Sequence, residues 1–468
     1  MPKRNLIWTI AIVAAAVTTV LLTRPAAPPD DPDHVRFRPV VRAYRMLRGQ
    51  TYRPPDDANL LRGAVRGMVE GLDEFSSYVP PERLASFRAR LAGRGTTIGL
   101  LVDAAEGTVD VLGVLPGSPA QDAGIEPGAR VLRIDGDDAE ALSAEEVRQR
   151  LGRPPREGVS LVLVDPAGKE RTCELAPRRM ELDTVAGLRR TAAGRWEYFV
   201  LPDERIAYIR IKEFAPRTTE RFEQSLRELL GARGIVLDLR DNPGGGLEAG
   251  YAVANLFLSE GVIFTRVDRL GRRQEFPARP EGTHSDVPIV VLVNGQTASA
   301  AEIVAGSLQL YDRAVLVGSR TRGKGLVQSM ISLPNDLGQV NLTTAEFLLG
   351  VDQPVARRPG AERWGVGPHI ELPLSPAEDR ARRRYWLASE AAPASRRPAT
   401  APTTAPLPLH LRPAVEVDPQ LACAVALFTE PGRIRELLAQ AAAERAARQR
   451  KAASQPQTNP AGAPHGDE

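Results

Sequence analysis

Residues 289–302 read Ile-Val-Val-Leu-Val-Asn-Gly-Gln-Thr-Ala-Ser-Ala-Ala-Glu and change texture within fourteen positions. The first five are β-branched or leucine without a polar break, the pattern of a strand covered on both faces. Asn294-Gly295 is a turn signal. Small and apolar residues from Ala298 to about Gln309 then predict a helix. Strand, turn and buried helix in this order form the repeating unit of an α/β sheet. The same texture recurs on either side. Residues 206–211, 234–240 and 314–318 read as buried strands, 219–230 as an amphipathic helix, and Pro243-Gly-Gly-Gly246 as a turn. The spacing therefore predicts an α/β core over 181–373.

The flanking sequence differs. Residues 95–180 hold short β-type runs at 97–102, 109–114, 130–134 and 159–164, separated by Pro/Gly turns. A single short helix, 143–151, opens with the capping pattern Ser143-x-x-Glu146. Its segment LPGSPAQDAGIEPGARVLRIDG resembles the middle of a PDZ domain. Residues 25–94 predict a Pro/Asp-rich spacer and then helices, with Asp57 and Asn59 as caps, the element ending near Glu82. Residues 374–412 read as a Pro/Ala/Thr-rich linker, 413–452 as two carboxyl-terminal helices, and 453–468 as a disordered tail. The fold class expected is thus α/β (α+β) and multidomain.

At the amino end, Lys3 and Arg4 precede an uncharged run from Leu6 to Leu22. As a helix it is about 26 Å long, near the lower limit for crossing a bilayer. No Ala-x-Ala site follows, so residues 1–24 read as an uncleaved anchor rather than as its competitor, a cleaved signal peptide. Either way the remainder is expected outside the cytoplasm, in the cell envelope on the periplasmic side of the inner membrane.

Composition excludes several functions. The chain has 468 residues, 43% hydrophobic and 25% charged, with a net charge of +3. That balance carries no nucleic-acid footprint. Cys173 and Cys423 lie too far apart for a disulfide framework or a usual zinc site, and the five histidines are scattered, so no metal or cofactor is expected. Only five of the 61 basic residues are lysines. Arginine stays protonated, whereas a buried lysine can become neutral and act as a base.

One of the five, Lys324, lies in Thr321-Arg-Gly-Lys-Gly-Leu-Val-Gln328, with glycine on each side. Ser299 stands where strand 289–293 turns into a helix. A serine there is ordinarily a helix cap; the chemical alternative is a nucleophile on a tight turn, with the N–H of Ala300 facing a developing oxyanion. Neither stretch contains histidine. A triad would have to recruit His284 or His369, and a Ser–Lys pair is simpler.

Taken together, the chain resembles the carboxy-terminal processing proteases, serine peptidases with an inserted PDZ domain. The resemblance rests on GLDEFSSYVPPE (71–82), the PDZ-like module, DLRDNPGG (238–245), NGQTASAAE (294–302) and RGKGLVQ (322–328), in the family's order, with 25 residues between serine and lysine. It implies a core similar to the crotonase and Clp protease superfold. It also implies Ser299 as nucleophile, Lys324 as general base, Gln328 orienting the lysine, and Gly245 with Ala300 as the oxyanion hole. For the PDZ groove it implies Ile98, Gly99, Leu100 and Leu101 facing Val147 and Leu151. Substrates would be proteins with free, apolar carboxyl ends, cleaved through an acyl-enzyme. An adaptor or lipoprotein and a second copy of the chain are the further partners expected. Two segments depart from the family's usual reading: Thr343-Thr-Ala-Glu-Phe-Leu-Leu-Gly350, and Gly365-Val-Gly-Pro-His369-Ile370. A non-catalytic, membrane-anchored PDZ scaffold is the competing function, and acyl chemistry on a thioester a more distant third.

Overall fold

Two faces of one mostly parallel sheet organise the core. Its strands run in the order Val185–Ala186, Ile206–Ile211, Gly234–Asp238, Ile289–Val293, Ala314–Gly318 and Ile370–Glu371, with Phe199–Leu201 on Ile206–Ile211. Every pair from Ile206–Ile211 to Ile370–Glu371 is parallel. Alternate residues point to opposite faces, and both faces are covered, hence the unbroken apolar runs in sequence. Ile209, Leu237, Val291 and Leu316 pack against Phe222, Val253 and Ile303 of the helices Thr218–Glu228, Leu247–Asn255 and Ala300–Leu310. Tyr208, Val236, Val290 and Val315 meet Tyr385, Trp386, Leu421 and Val425.

These coordinates form a computed structural model that describes residues 32–454 except 54, 106, 153–157, 192, 282, 285 and 392–412. The apolar run Leu6–Leu22 and the tail 455–468 lie outside the described residues. Among those described, no helix is long and apolar enough to cross a membrane.

The chain divides into two units, Met1–Glu74 with Leu333–Leu337, and Phe75–Ser332 with Gly338–Glu468. The first contains helices Pro32–Gln50 and Asp57–Glu70. The second helix is capped one residue earlier than expected: Asp56, in extended conformation, accepts from the Ala58 N–H at 3.0 Å. In the second unit, a second sheet joins Ser77–Val79, Gln339–Leu349, Val262–Asp268 and Arg273–Pro277, with Leu326–Ser332 also on the long strand. The expectation of a helical region ending near Glu82 is corrected here. Ser77–Val79 is a strand paired with residues 339–341, and the helix Pro81–Leu91 follows it.

The third sheet, Leu100–Ala105, Thr108–Val114, Arg130–Ile134, Val159–Val164 and Glu170–Leu175, forms the inserted domain with helix Ala144–Leu151. An antiparallel ribbon of Arg94–Thr97 with Arg178–Glu181 carries the chain into it and back. The expected strand over 97–102 breaks at Gly99, whose φ is +76° and where a Cβ would come within 2.0 Å of the Ser118 Cβ.

A second correction concerns the linker over 374–412. Pro376–Ser389 is a helix opened by a capping box between Ser375 and Glu378, and its Arg382, Tyr385 and Trp386 are buried. After the undescribed segment, Asp418 caps helix Pro419–Thr429 by accepting from the Leu421 N–H. Asp418 also enters a fully buried cluster. Arg240 bonds both Asp238 (2.7 Å) and Asp418 (2.6 Å), Tyr208 donates to Asp238, and Trp386 donates to Asp418. Tyr208 stacks on Trp386 at 4.5 Å.

Removing one member of such a cluster strands charges in the interior, at a cost of about 3–5 kcal/mol. Arg240→Met, which leaves two carboxylates without their cation, is expected to lower unfolding free energy by that order in urea titrations. Burial alone would raise the Asp238 carboxyl, but Arg240 pulls it down to about 2 from 3.8. A depressed carboxyl contributes stability above its unfolded value and loses it on acidification. Wild-type stability should therefore fall by ~2 kcal/mol on this account between about pH 4 and pH 2, and urea midpoints measured across that range would register the loss.

Candidate active site

Ser299 sits between strand Ile289–Val293 and helix Ala300–Leu310, with φ 56° and ψ −120° and a relative exposure of 7%. A capping serine is extended; this one is not. A non-glycine residue held at such angles costs about 1–3 kcal/mol and persists only where its surroundings impose it.

Those surroundings are two loops stitched together. The Asp241 N–H donates to Asn294 Oδ1 (3.0 Å), and Asn294 Nδ2 donates back to Asp241 Oδ1 (2.9 Å). Thr297 Oγ1 donates to the Leu239 carbonyl (2.8 Å), and the Ala298 N–H to the Asn242 carbonyl (2.9 Å). The buried Asn242 side chain donates to the Ile211 carbonyl and accepts from the Gly244 N–H, both at 2.8 Å.

This bonding fixes the turn Gly244-Gly245 beside the serine. A Cβ on Gly244 would lie 2.6 Å from the Ser299 Cβ and 3.1 Å from the Ala300 nitrogen; one on Gly245 would lie 2.3 Å from the Phe214 carbonyl oxygen. Their φ angles of +99° and +136° require glycine in any case. The Gly244 N–H is engaged with Asn242 and the Gly246 N–H with Phe214. Among the described residues, the N–H groups of Gly245 and Ala300 donate to none. Two amides left unengaged beside a serine are what a developing oxyanion needs.

Glu302, fully buried one turn into the helix, joins the serine to the lysine loop. Its Oε2 accepts from the backbone N–H of Ser299 (2.8 Å) and of Lys324 (2.9 Å). Its Oε1 accepts from the Gly323 N–H (2.7 Å) and Thr321 Oγ1 (2.6 Å). The backbone nitrogens of Ser299 and Lys324 thus lie no farther apart than two hydrogen bonds end to end. Burial pushes the Glu302 carboxyl up, against the pull of its four donors. Glu302 has no assigned role on sequence grounds, although Ser299-x-x-Glu302 has the spacing recognised at Ser143.

Lys324 is half-buried, with its Nζ 5.2 Å from the ring centre of Phe75. Gln328, on strand Leu326–Ser332, donates through Nε2 to Thr343 Oγ1 (3.3 Å), and the Thr343 N–H donates to Ser76 Oγ (3.1 Å). Phe75, Ser76 and Thr343 were absent from the sequence assignment; strand pairing between residues 77–79 and 339–341 brings them here. His369 serves elsewhere. Its Nδ1 accepts from the Leu316 N–H (2.9 Å), and burial lowers its basicity.

In the inserted domain, Ile98, Val147 and Leu151 belong to the core, with relative exposures of 1%, 0% and 7%. Leu100 packs against that core in part, and Leu101 is half-buried. Strand Leu100–Ala105 stands at the edge of its sheet, and Gly99 directly precedes it.

A serine on a strained strand-to-helix turn, with amide donors beside it and a lysine loop tied to the same carboxylate, defines a serine hydrolase. Residues 205–372 match peptidase family S41, and residues 84–164 match the PDZ domain. The chain is 36% identical over 289 residues to a carboxyl-terminal-processing protease of Synechocystis, spanning 61% of this chain and 66% of that protein. It is 32% identical over 360 residues to a chloroplastic C-terminal processing peptidase of Tetradesmus obliquus, spanning 72% and 75%. Among solved structures, a photosystem II D1 C-terminal processing protease aligns over 75% of this chain and 97% of its own at 29% identity, with a TM-score of 0.43. The chain belongs to peptidase family S41, the serine peptidases that include the carboxyl-terminal-processing proteases.

Two substitutions test the geometry. Gly244→Ala forces a methyl against Ser299 and should reduce turnover of an unstructured protein substrate at least ~100-fold. In Glu302→Gln, the amide must turn its own N–H₂ either toward the N–H groups of Ser299 and Lys324 or toward the Gly323 N–H and the Thr321 hydroxyl. Steady-state kinetics should give a kcat about 10- to 100-fold lower with KM little changed, as expected for misplaced reacting groups.

Proposed function

We propose that this chain is an exported serine endopeptidase that recognises free carboxyl-terminal tails through its PDZ domain and cleaves with a Ser299–Lys324 dyad. The observation that carries this reading is the strained Ser299 turn, facing two unengaged amides and tied through Glu302 to the lysine loop. As Ser299 Oγ attacks the scissile carbonyl carbon, the neutral Lys324 amine takes its proton. The carbonyl oxygen becomes an anion held by the N–H groups of Gly245 and Ala300. Collapse of the tetrahedral intermediate breaks the C–N bond, and the Lys324 ammonium protonates the departing amine. Water, deprotonated by Lys324, then attacks the acyl ester, and its breakdown returns the proton to Ser299. Gln328, whose Nε2 donates to Thr343 Oγ1, is the residue assigned to orient the lysine amine.

Export is supported by Lys3 and Arg4 ahead of the apolar run 6–22, which also suits an inner-membrane anchor on the periplasmic side. Tail recognition is supported by the PDZ match and by the free edge of Leu100–Ala105, where a peptide can add as a strand. An adaptor or lipoprotein partner and a homodimer remain part of the proposal without support from the site itself.

The test is proteolysis of an unstructured substrate with an apolar tail, offered with a free or an amidated carboxyl end. Ser299→Ala and Lys324→Arg should each slow cleavage by a factor of about 10³ or more. Amidation should raise KM with less effect on kcat. Cleavage surviving in Ser299→Ala would overturn the assignment of the nucleophile.

A further inference from the structure

Between the inserted domain and the peptidase core lies a cavity of about 860 Å³ that includes neither Ser299 nor Lys324. One wall is the far half of the edge strand, with Val102 and Ala104 beside Val147 and Arg148 of the adjacent helix. The opposite wall is one face of helix Pro376–Ser389, where Arg380, Arg383, Arg384 and Leu387 recur at helical spacing. Apolar side chains and guanidinium groups therefore both line the opening.

Charge around this cavity is biased. Four arginines line it against three aspartates, and all three aspartates already have cation partners. Asp103 pairs with Arg384. Asp379 pairs with Arg383 and with Arg382, a residue outside the lining. Asp241 also pairs with Arg382 (2.8 Å). Arg148 pairs with Glu145, a surface carboxylate that does not face the cavity.

Strand geometry then fixes what reaches those arginines. A tail added antiparallel to Leu100–Ala105, with its carboxyl end at residues 99–101, sets each earlier residue one step closer to Ala105. Upstream side chains thus enter the cavity beginning about three residues before the end. Building on the tail-binding function proposed above, we propose that this cavity is a subsite for acidic side chains lying about three to five residues ahead of a substrate's free carboxyl end, with Arg380 and Arg383 as the receiving cations. The apolar terminus and the acidic upstream residues are then read by different parts of the molecule: the former by the PDZ strand and helix, the latter by a helix of the peptidase core.

Binding to the full-length Ser299→Ala protein tests this without reliance on cleavage. Fluorescently labelled decapeptides would share their last three apolar residues and carry Glu-Glu, Gln-Gln or Lys-Lys at the two positions before them. At low salt, anisotropy should give a Kd for Glu-Glu roughly three- to tenfold below that for Gln-Gln, with the gap narrowing as salt rises. Adding Arg380→Gln and Arg383→Gln should erase the gap while leaving Gln-Gln binding unchanged, which also reports that the variant is folded. Arg380→Glu with Arg383→Glu should reverse the preference toward Lys-Lys. Equal affinities in the parent, a preference that survives the arginine substitutions, or no binding of any tail would each overturn the subsite. If binding discriminates as expected while the Ser299-dependent cleavage test fails, only the catalytic assignment falls.

Discussion

One carboxylate, that of Glu302, holds the reactive geometry together. In the proposed Ser299–Lys324 dyad, a nucleophile and a base carried on separate loops must stay aligned to within fractions of an ångström, and loops are ordinarily the more mobile part of a fold. Here both loops donate backbone N–H groups to the same oxygen of Glu302, while Gly323 and Thr321 occupy the other. The carboxylate belongs to the first turn of a helix whose residues from Ala300 to Leu308 are all buried, so its position is that of the core itself. Negative charge near a helix amino terminus is also favoured by the helix dipole. The Ser299 conformation then follows: its N–H is drawn to its own helix while Asn242 and Asn294 hold the turn from the other side.

The opposite face of the sheet answers a different requirement. The loop bearing Gly244 and Gly245 leaves strand Gly234–Asp238 through Arg240, and Arg240 is secured by Asp418 from the carboxyl-terminal segment. A buried ion cluster is weak evidence for net stability, because desolvation offsets much of the attraction. Its evident effect is to specify one arrangement: both guanidinium edges, the indole N–H of Trp386 and the phenol of Tyr208 must all find their partners at once. The carboxyl-terminal helices are accordingly part of the scaffold beneath the reactive loop.

Much of this was legible in sequence where the determinants are local. Unbroken Val/Ile/Leu runs marked the parallel strands within a residue or two, and the Ser143 capping pattern marked its helix. The lysine stood out because arginine supplies nearly all other positive charge. What escaped depends on contacts far apart in the chain. Phe75 and Ser76 reach the lysine region only because Ser77 pairs with Asn341. Composition places Pro376–Ser389 within the Pro/Ala/Thr-rich linker; the buried pairing of Arg382 with Asp241 and Asp379 makes that arginine an interior residue. Ile98, Val147 and Leu151 have the polarity of a groove and the burial of a core, a distinction that hydropathy alone does not make.

The ribbon formed by Arg94–Thr97 and Arg178–Glu181 has an evolutionary consequence. Entry and exit strands are hydrogen-bonded neighbours, so the length of chain between them is invisible to the core. A recognition module joined through such a doorway can be lost, enlarged or replaced by another with adjacent ends, without rethreading a single strand of the catalytic sheet.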